Sequence, residues 1–229
     1  MKKILMLFGI LLLLCGCSNS NPDALKFKQD YEKLNGQTTE SGNKYREVEI
    51  DAKNPFVYVE LDEVLRRMDN GETFIVYFGA NWCPWCRSIL PTVIKTAREL
   101  KVDKIYYVDV RKDNDHDLDI RDSYAVDEKG KIYLSHEGTE AYHKFIERAS
   151  EVLADYSRED VPTLDGTEFE GAKRVGAPNF VLIEKGQAVN MITGISSLQS
   201  DPYQELNDDI LQDVSDMFTK LFEQYLKGR

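Results

Sequence analysis

Gly79-Ala80-Asn81-Trp82-Cys83-Pro84-Trp85-Cys86 follows directly on the apolar run Thr73-Phe74-Ile75-Val76-Tyr77-Phe78. A short run of β-branched and aromatic residues predicts a buried strand. Beyond it, Arg87 to Leu100 carries apolar residues at helical spacing. The two cysteines therefore stand where a strand delivers the chain into the N-terminus of a helix. That end has unpaired N–H groups and a positive partial charge, and both favour a thiolate over a thiol. The expectation is a lowered pKa for Cys83, which makes it the attacking sulfur. Cys86, one turn into the helix, would be shielded and positioned to resolve a mixed disulfide.

Three readings compete for the pair. A structural disulfide closing so short a loop constrains little of the unfolded chain. A zinc half-site needs two further ligands, and His116, His136 and His143 do not stand at finger spacing. Catalytic thiol–disulfide exchange is the reading that the strand–helix position favours, with no metal.

The segment Phe78 to Cys86 resembles the active-site segment of the thioredoxin superfamily. Trp82 matches the tryptophan before the first cysteine, and Pro91 the proline that kinks the active-site helix. The Pro84-Trp85 dipeptide between the cysteines is closer to the glutaredoxin type. Arg174 to Val189 resembles the family stretch that contains the cis-proline loop, a strand, a Gly turn and the next strand. The resemblance implies that Pro178 is cis and lies across from the cysteines, with the Ala177 backbone pairing with a substrate chain like an added strand. Val161-Pro162-Thr163-Leu164 is a rival for that loop, but no apolar strand and Gly turn follow it. The family pattern breaks at Tyr77, where thioredoxins carry a buried acid six residues before the first cysteine. A phenol, with a reference pKa near about 10, is a poor base. Either another acid substitutes, or resolution by Cys86 relies on water.

The chain has 229 residues, enough for one domain with a sizeable core, with or without an insertion. Its net charge of −11 and the absence of a basic patch argue against nucleic acid and against anionic lipid. Membrane contact would have to come from an anchor. Met1-Lys2-Lys3 reads as a positive n-region, and Ile4 to Leu14 as an apolar h-region too short to span a bilayer. Leu14-Cys15-Gly16-Cys17 resembles a bacterial lipobox, which implies cleavage before Cys17 and a lipid on that cysteine. An ordinary secretory signal is the alternative.

Residues 1–16 are thus read as a lipoprotein signal peptide, 17–55 as a tether and N-terminal arm, and 56–229 as a thioredoxin-like domain. The fold expected is α/β, a central mixed sheet flanked by helices, with a helical insertion at about 111–175 before the cis-Pro loop. Leu25 to Leu34 has helical spacing, and Tyr45 to Ile50 alternates like an edge strand. Lys112 to Arg121 is acidic and expected to be exposed. Its Asp113, Asp115, Asp117 and Asp119 lack the glycine and the glutamate of a calcium loop. Asp127-Glu128-Lys129-Gly130 reads as a turn between two short strands. Thr139 is expected to cap a helix running to Tyr156, either a packing element or a wall over the active site. Asp201-Pro202 is expected to start the C-terminal helix, and Arg87 is expected at the surface.

Together these observations predict a lipid-anchored, extracytoplasmic thiol–disulfide oxidoreductase that reduces disulfides of secreted or surface proteins. Its general pattern is similar to thioredoxin-like lipoproteins and bacteriocin-transport accessory proteins of bacteria. No flavin or nicotinamide fingerprint appears, so electrons would pass through a partner protein, and the Cys83–Cys86 pair is the only redox group expected. The alternatives are an oxidase of secreted thiols and a binding module that latches clients without turnover.

Overall fold

The structure is a computed structural model that describes residues 21–39, 41–156 and 173–229. In chain order its first half contains α1 (Pro22–Glu32), β1 (Phe56–Tyr58), α2 (Leu61–Asp69), β2 (Phe74–Gly79), α3 (Pro84–Glu99) and β3 (Ile105–Asp109). The second half contains β4 (Ser123–Val126), β5 (Ile132–His136), α4 (Glu140–Ala149), β6 (Asn179–Glu184), β7 (Gln187–Ile192) and α5 (Asp208–Gly228). The signal segment, Cys17 and the rival loop Val161–Leu164 lie outside the described residues.

The apolar run around Val76 is the middle of a five-stranded sheet in the order β1-β3-β2-β6-β7. The first three strands are parallel, and β6 and β7 run antiparallel to their neighbours. This is the mixed α/β sheet of the thioredoxin fold. Every residue of β2 is buried, as a central strand covered on both faces requires. The strand's period of two sorts its side chains between layers. Tyr77 stacks on Phe180, with ring centroids 4.3 Å apart, and Phe180 meets Phe218 of α5. Phe78 points the other way, onto Phe145 of α4 at 4.9 Å.

The N-terminal arm is built into the core. Asn21 caps α1 by accepting from the Asp23 N–H at 3.1 Å. Phe27 and Tyr31 are fully buried, and Phe27 stacks on Phe56 at 4.2 Å. The segment Tyr45–Ile50, expected as an edge strand, is irregular instead. Its N–H groups are taken by side chains at the end of α1: Val48 donates to Asn35 Oδ1 at 3.0 Å and Ile50 to Glu32 Oε1 at 2.8 Å. With its donors satisfied locally, the segment has no need of a neighbouring strand.

Between β3 and β6 the expected turn at Asp127–Gly130 joins two short strands, and this hairpin, β4–β5, forms a separate two-stranded sheet. The region differs from expectation in two places. Helix α4 is capped by Thr139 as expected, but ends at Ala149 rather than Tyr156. Leu153 and Tyr156 are buried from irregular backbone, so their helical spacing was a coincidence of core-facing positions. Finally, Asp119 and Arg121 are buried, at 7% and 6% exposed, although their segment is acidic. Asp119 is turned onto Arg121, and no cluster of three or more metal-ligating groups exists among the described residues.

The C-terminal helix begins later than Asp201-Pro202 suggested. Asp201 Oδ1 accepts from the Tyr203 N–H at 2.7 Å, which makes a local turn. Asn207 is the true cap of α5, accepting from the Ile210 N–H at 2.9 Å. Val214, Phe218, Leu221, Phe222 and Tyr225 then lie buried along one side of α5, which packs beside α3.

Candidate active site

Strand β2 hands the chain to α3 through Ala80-Asn81-Trp82. Cys83 is the N-cap of α3, with φ −71° and ψ 117°, and Pro84 follows at the first helical position. Its sulfur accepts a hydrogen bond from the Cys86 N–H at 3.2 Å, the interaction an N-cap side chain makes. Both cysteines are free thiols; Cys83 is 3% exposed and Cys86 fully buried.

The peptide bond Ala177–Pro178 is cis. The loop it belongs to is tied by Asn179, whose Oδ1 accepts from the Gly176 N–H. This brings the Ala177 carbonyl within 3.1 Å of Cys83 Sγ, which donates to it as a thiol. Trp82, Cys83, Pro84, Trp85, Ala177 and Pro178 therefore share the walls of one groove of about 480 Å³. Trp82 donates from Nε1 to the Arg111 carbonyl at 3.0 Å, and the Arg111 guanidinium lies 4.0 Å from its ring centre. The charged groups lining the groove are Arg111, Arg121, Arg174 and Asp155, a cationic set in an acidic protein.

The two sulfurs are electrostatically unequal. Burial works against ionisation of Cys83, but hydrogen bonds from Cys86 and from the Trp85 N–H, with the nearby Arg121 charge, outweigh it and hold its pKa below the ordinary thiol value. Cys86 is pushed well up, by burial first and then by Cys83 beside it, with the Tyr77 hydroxyl pulling weakly the other way. One sulfur is poised to ionise and the other to keep its proton.

Beneath Cys86 the structure holds phenols where the fold family carries an acid. Tyr77 and Tyr31 are fully buried, with their hydroxyls 3.1 Å apart. Burial raises both well above the usual phenol range, so neither serves as a base near neutrality. Tyr77 fits because Gly79 has no side chain. A Cβ there would lie 2.2 Å from the Tyr77 hydroxyl oxygen.

Three buried charged groups escaped sequence reasoning. Arg87 is fully buried, not at the surface. It donates to the carbonyls of Arg46 (2.7 Å), Tyr31 (2.8 Å) and Asn81 (3.2 Å) and to Asn35 Oδ1 (2.7 Å), all neutral acceptors. Those partners come from distant parts of the chain, which is why local pattern could not reveal them. Arg121 was hidden by its acidic surroundings. Asp109, closing the apolar run of β3, was the most legible of the three. Burial raises its carboxyl to about 6, partly offset by the hydrogen bond from the Arg111 N–H. It borders a separate cleft of about 360 Å³, with Tyr58, Lys112, Thr139 and Lys144, and neither cysteine lines that cleft.

Residues 57–159 match the family model described as Thioredoxin, a range that includes Cys83, Cys86, Arg87, Asp109 and Arg121 but neither Tyr31 nor Pro178. Searches of curated proteins and of solved structures gave no match. The mixed sheet with the cysteine pair at the β2–α3 junction is that of a thioredoxin fold, and slightly under half of the chain is similar to the Thioredoxin family model.

Proposed function

We propose that the protein is a thiol–disulfide oxidoreductase working through its Cys-Pro-Trp-Cys motif, with Cys83 as nucleophile and Cys86 as resolving thiol. The observation that carries this reading is the position of Cys83 Sγ, which caps α3 and lies 3.1 Å from the Ala177 carbonyl in the same open groove. A client strand laid along Ala177–Pro178 has its disulfide presented to that sulfur. The Cys83 thiolate attacks one client sulfur, and the other leaves and takes a proton. Cys86 then loses its proton and attacks Cys83, which releases the second client thiol and leaves Cys83–Cys86 oxidised. Two electrons have passed to the client, and a dithiol partner protein must return them.

Reduction is the direction we favour, with secreted or surface proteins as clients. The resemblance to thioredoxin-like lipoproteins and bacteriocin-transport accessory proteins supports an extracytoplasmic site, and the lipobox-like Leu14–Cys17 supports an anchor on Cys17. No helix among the described residues is long and apolar enough to cross a membrane. The cation Arg121 near Cys83 favours the opposite direction, since stabilising the thiolate stabilises the reduced pair and makes it more oxidising.

Turnover tests the reading. With dithiothreitol as electron source, the protein is expected to reduce many equivalents of a disulfide-bonded protein, and Cys86→Ser to accumulate mixed disulfides through Cys83. A single equivalent of bound client with no turnover would mark a latch rather than an enzyme. Equilibration against glutathione then assigns direction, and mass spectrometry of the N-terminus checks for cleavage and acylation at Cys17.

A further inference from the structure

The Pro84-Trp85 dipeptide places no cationic side chain between the cysteines. The groove supplies one from elsewhere. We propose that Arg121, carried by the connection between β3 and α4, is the cation that holds Cys83 as a thiolate. The inference rests on the reading of Cys83 as the attacking sulfur.

The backbone that carries Arg121 is fixed on both sides. The Ile120 N–H donates to the Val110 carbonyl at 3.0 Å, and the Ile120 carbonyl accepts from the Thr139 N–H at 2.9 Å. Gly138 packs so closely that a Cβ there would lie 2.6 Å from the Ile120 oxygen and 2.9 Å from the Arg121 carbonyl carbon. The side chain is held as firmly: Asp119 takes Nε at 2.9 Å and Nη2 at 2.8 Å. That fork leaves Nη1 with no acceptor among the described residues, on a guanidinium that lines the groove with Cys83.

The other charges of the groove are engaged elsewhere. Arg111 lies over Trp82, Arg174 lies 4.3 Å from the ring centre of Tyr156, and Asp155 pairs with Lys173 at 2.9 Å. Cys86 and Tyr77 stay neutral. The ring contacts leave Arg111 and Arg174 charged, but both are more exposed than Arg121, whose charge is therefore the least screened of the three by salt. Asp119, which takes Nε and Nη2, does not line the groove, whereas Arg121 does. When Cys83 ionises its proton leaves to water, and the guanidinium balances the charge left on sulfur.

The test follows alkylation of Cys83 by iodoacetamide across pH 4–9.5, read by peptide mass spectrometry in a Cys86→Ser background. Replacing both partners, Arg121→Met with Asp119→Leu, removes the cation without stranding a buried carboxylate. Alkylation at pH 6 is expected to slow by about tenfold, the lower end of what one opposite charge does, and to be unchanged at pH 9.5. Arg121→Lys, which keeps the charge, should restore most of the rate. Asp119→Asn should leave the rate at pH 6 equal or faster, since it removes the opposing carboxylate. An unmoved pH profile in the double variant overturns the proposal, as does slowing by Asp119→Asn equal to that of the double variant, which would mark a packing role. Multiple turnover by the native protein alongside an unmoved profile sinks only the role of Arg121. Absent turnover sinks the parent reading.

Discussion

The two parts of the chain that flank the active site from outside the central sheet treat the two cysteines differently. The arm before β1 lies behind Cys86 and offers the buried Arg87 guanidinium neutral acceptors only. Tyr31 reaches the Tyr77 hydroxyl, and the carbonyls of Tyr31 and Arg46, with Asn35, saturate Arg87. The connection between β3 and α4 lies beside Cys83 and brings charge to an open groove, through Arg111 and Arg121. Packing and hydrogen bonds keep Cys86 dry and protonated, whereas on the other side a buried cation lining the groove, Arg121, helps to lower the pKa of Cys83. The asymmetry of a thiol pair is built from opposite physical means on its two sides.

Breaking the arm's side should cost most. Arg87→Met removes the donor that the carbonyls of Tyr31, Arg46 and Asn81 share and one of the two donors to Asn35 Oδ1, and unfolding by urea is expected to show a loss of about 3–5 kcal/mol. Arg87→Lys should recover only part of it, because an ammonium cannot span four acceptors set for a planar fork. A loss below 1 kcal/mol would mean the arm is held by Phe27 and its neighbours alone.

Asp109 lies between the two sides, and pH sharpens the comparison there. Its folded-state pKa of about 6 lies above the ordinary 3.8. Between pH 4 and 6 the unfolded chain has released this proton while the native state still holds it, so this group's contribution to stability falls as pH rises through that window and levels off above it. The size of that fall is about 3 kcal/mol, at roughly 1.4 kcal/mol per pH unit. Asp109→Asn should therefore become progressively more stable than the native protein from pH 4 to pH 7. A constant difference across that range would show that burial does not govern this carboxyl.

The smallest effect is expected at the phenol pair. Tyr31→Phe takes one partner from the Tyr77 hydroxyl, which keeps Cys86 as another, and should cost about 1 kcal/mol. Adding Tyr77→Phe should cost little more, because both polar groups are then gone. Fully additive losses would show that the two hydroxyls do not interact.

The cysteine junction was legible because every step of its logic is local: a strand period, a proline at the first helical position, cysteines one turn apart. Pro178 could be chosen over Pro162 for a similar reason, since the strand and glycine turn that must follow such a loop are written directly after it. Legibility failed where a side chain's environment depends on distant backbone. Arg87 reads as a surface arginine until the carbonyls of residues 31 and 46 arrive beside it. Arg121 sits in an acidic run, and only its pairing with Asp119 accounts for its burial. The later start of α5 has the same lesson on a smaller scale. Asp201-Pro202 and Asn207 are both credible caps, and a hydrogen bond to Tyr203 takes Asp201 out of the contest.

The phenol of Tyr77 occupies the space that a side chain on Gly79 would fill. Positions 77 and 79 are consequently not free to drift apart over generations. A carboxylate at 77 alone opens a void over a bare glycine, and an alanine at 79 alone evicts the ring. Lineages that exchange the phenol for an acid must cross one of these two unfit intermediates, so the pair is expected to change together or stay as it is.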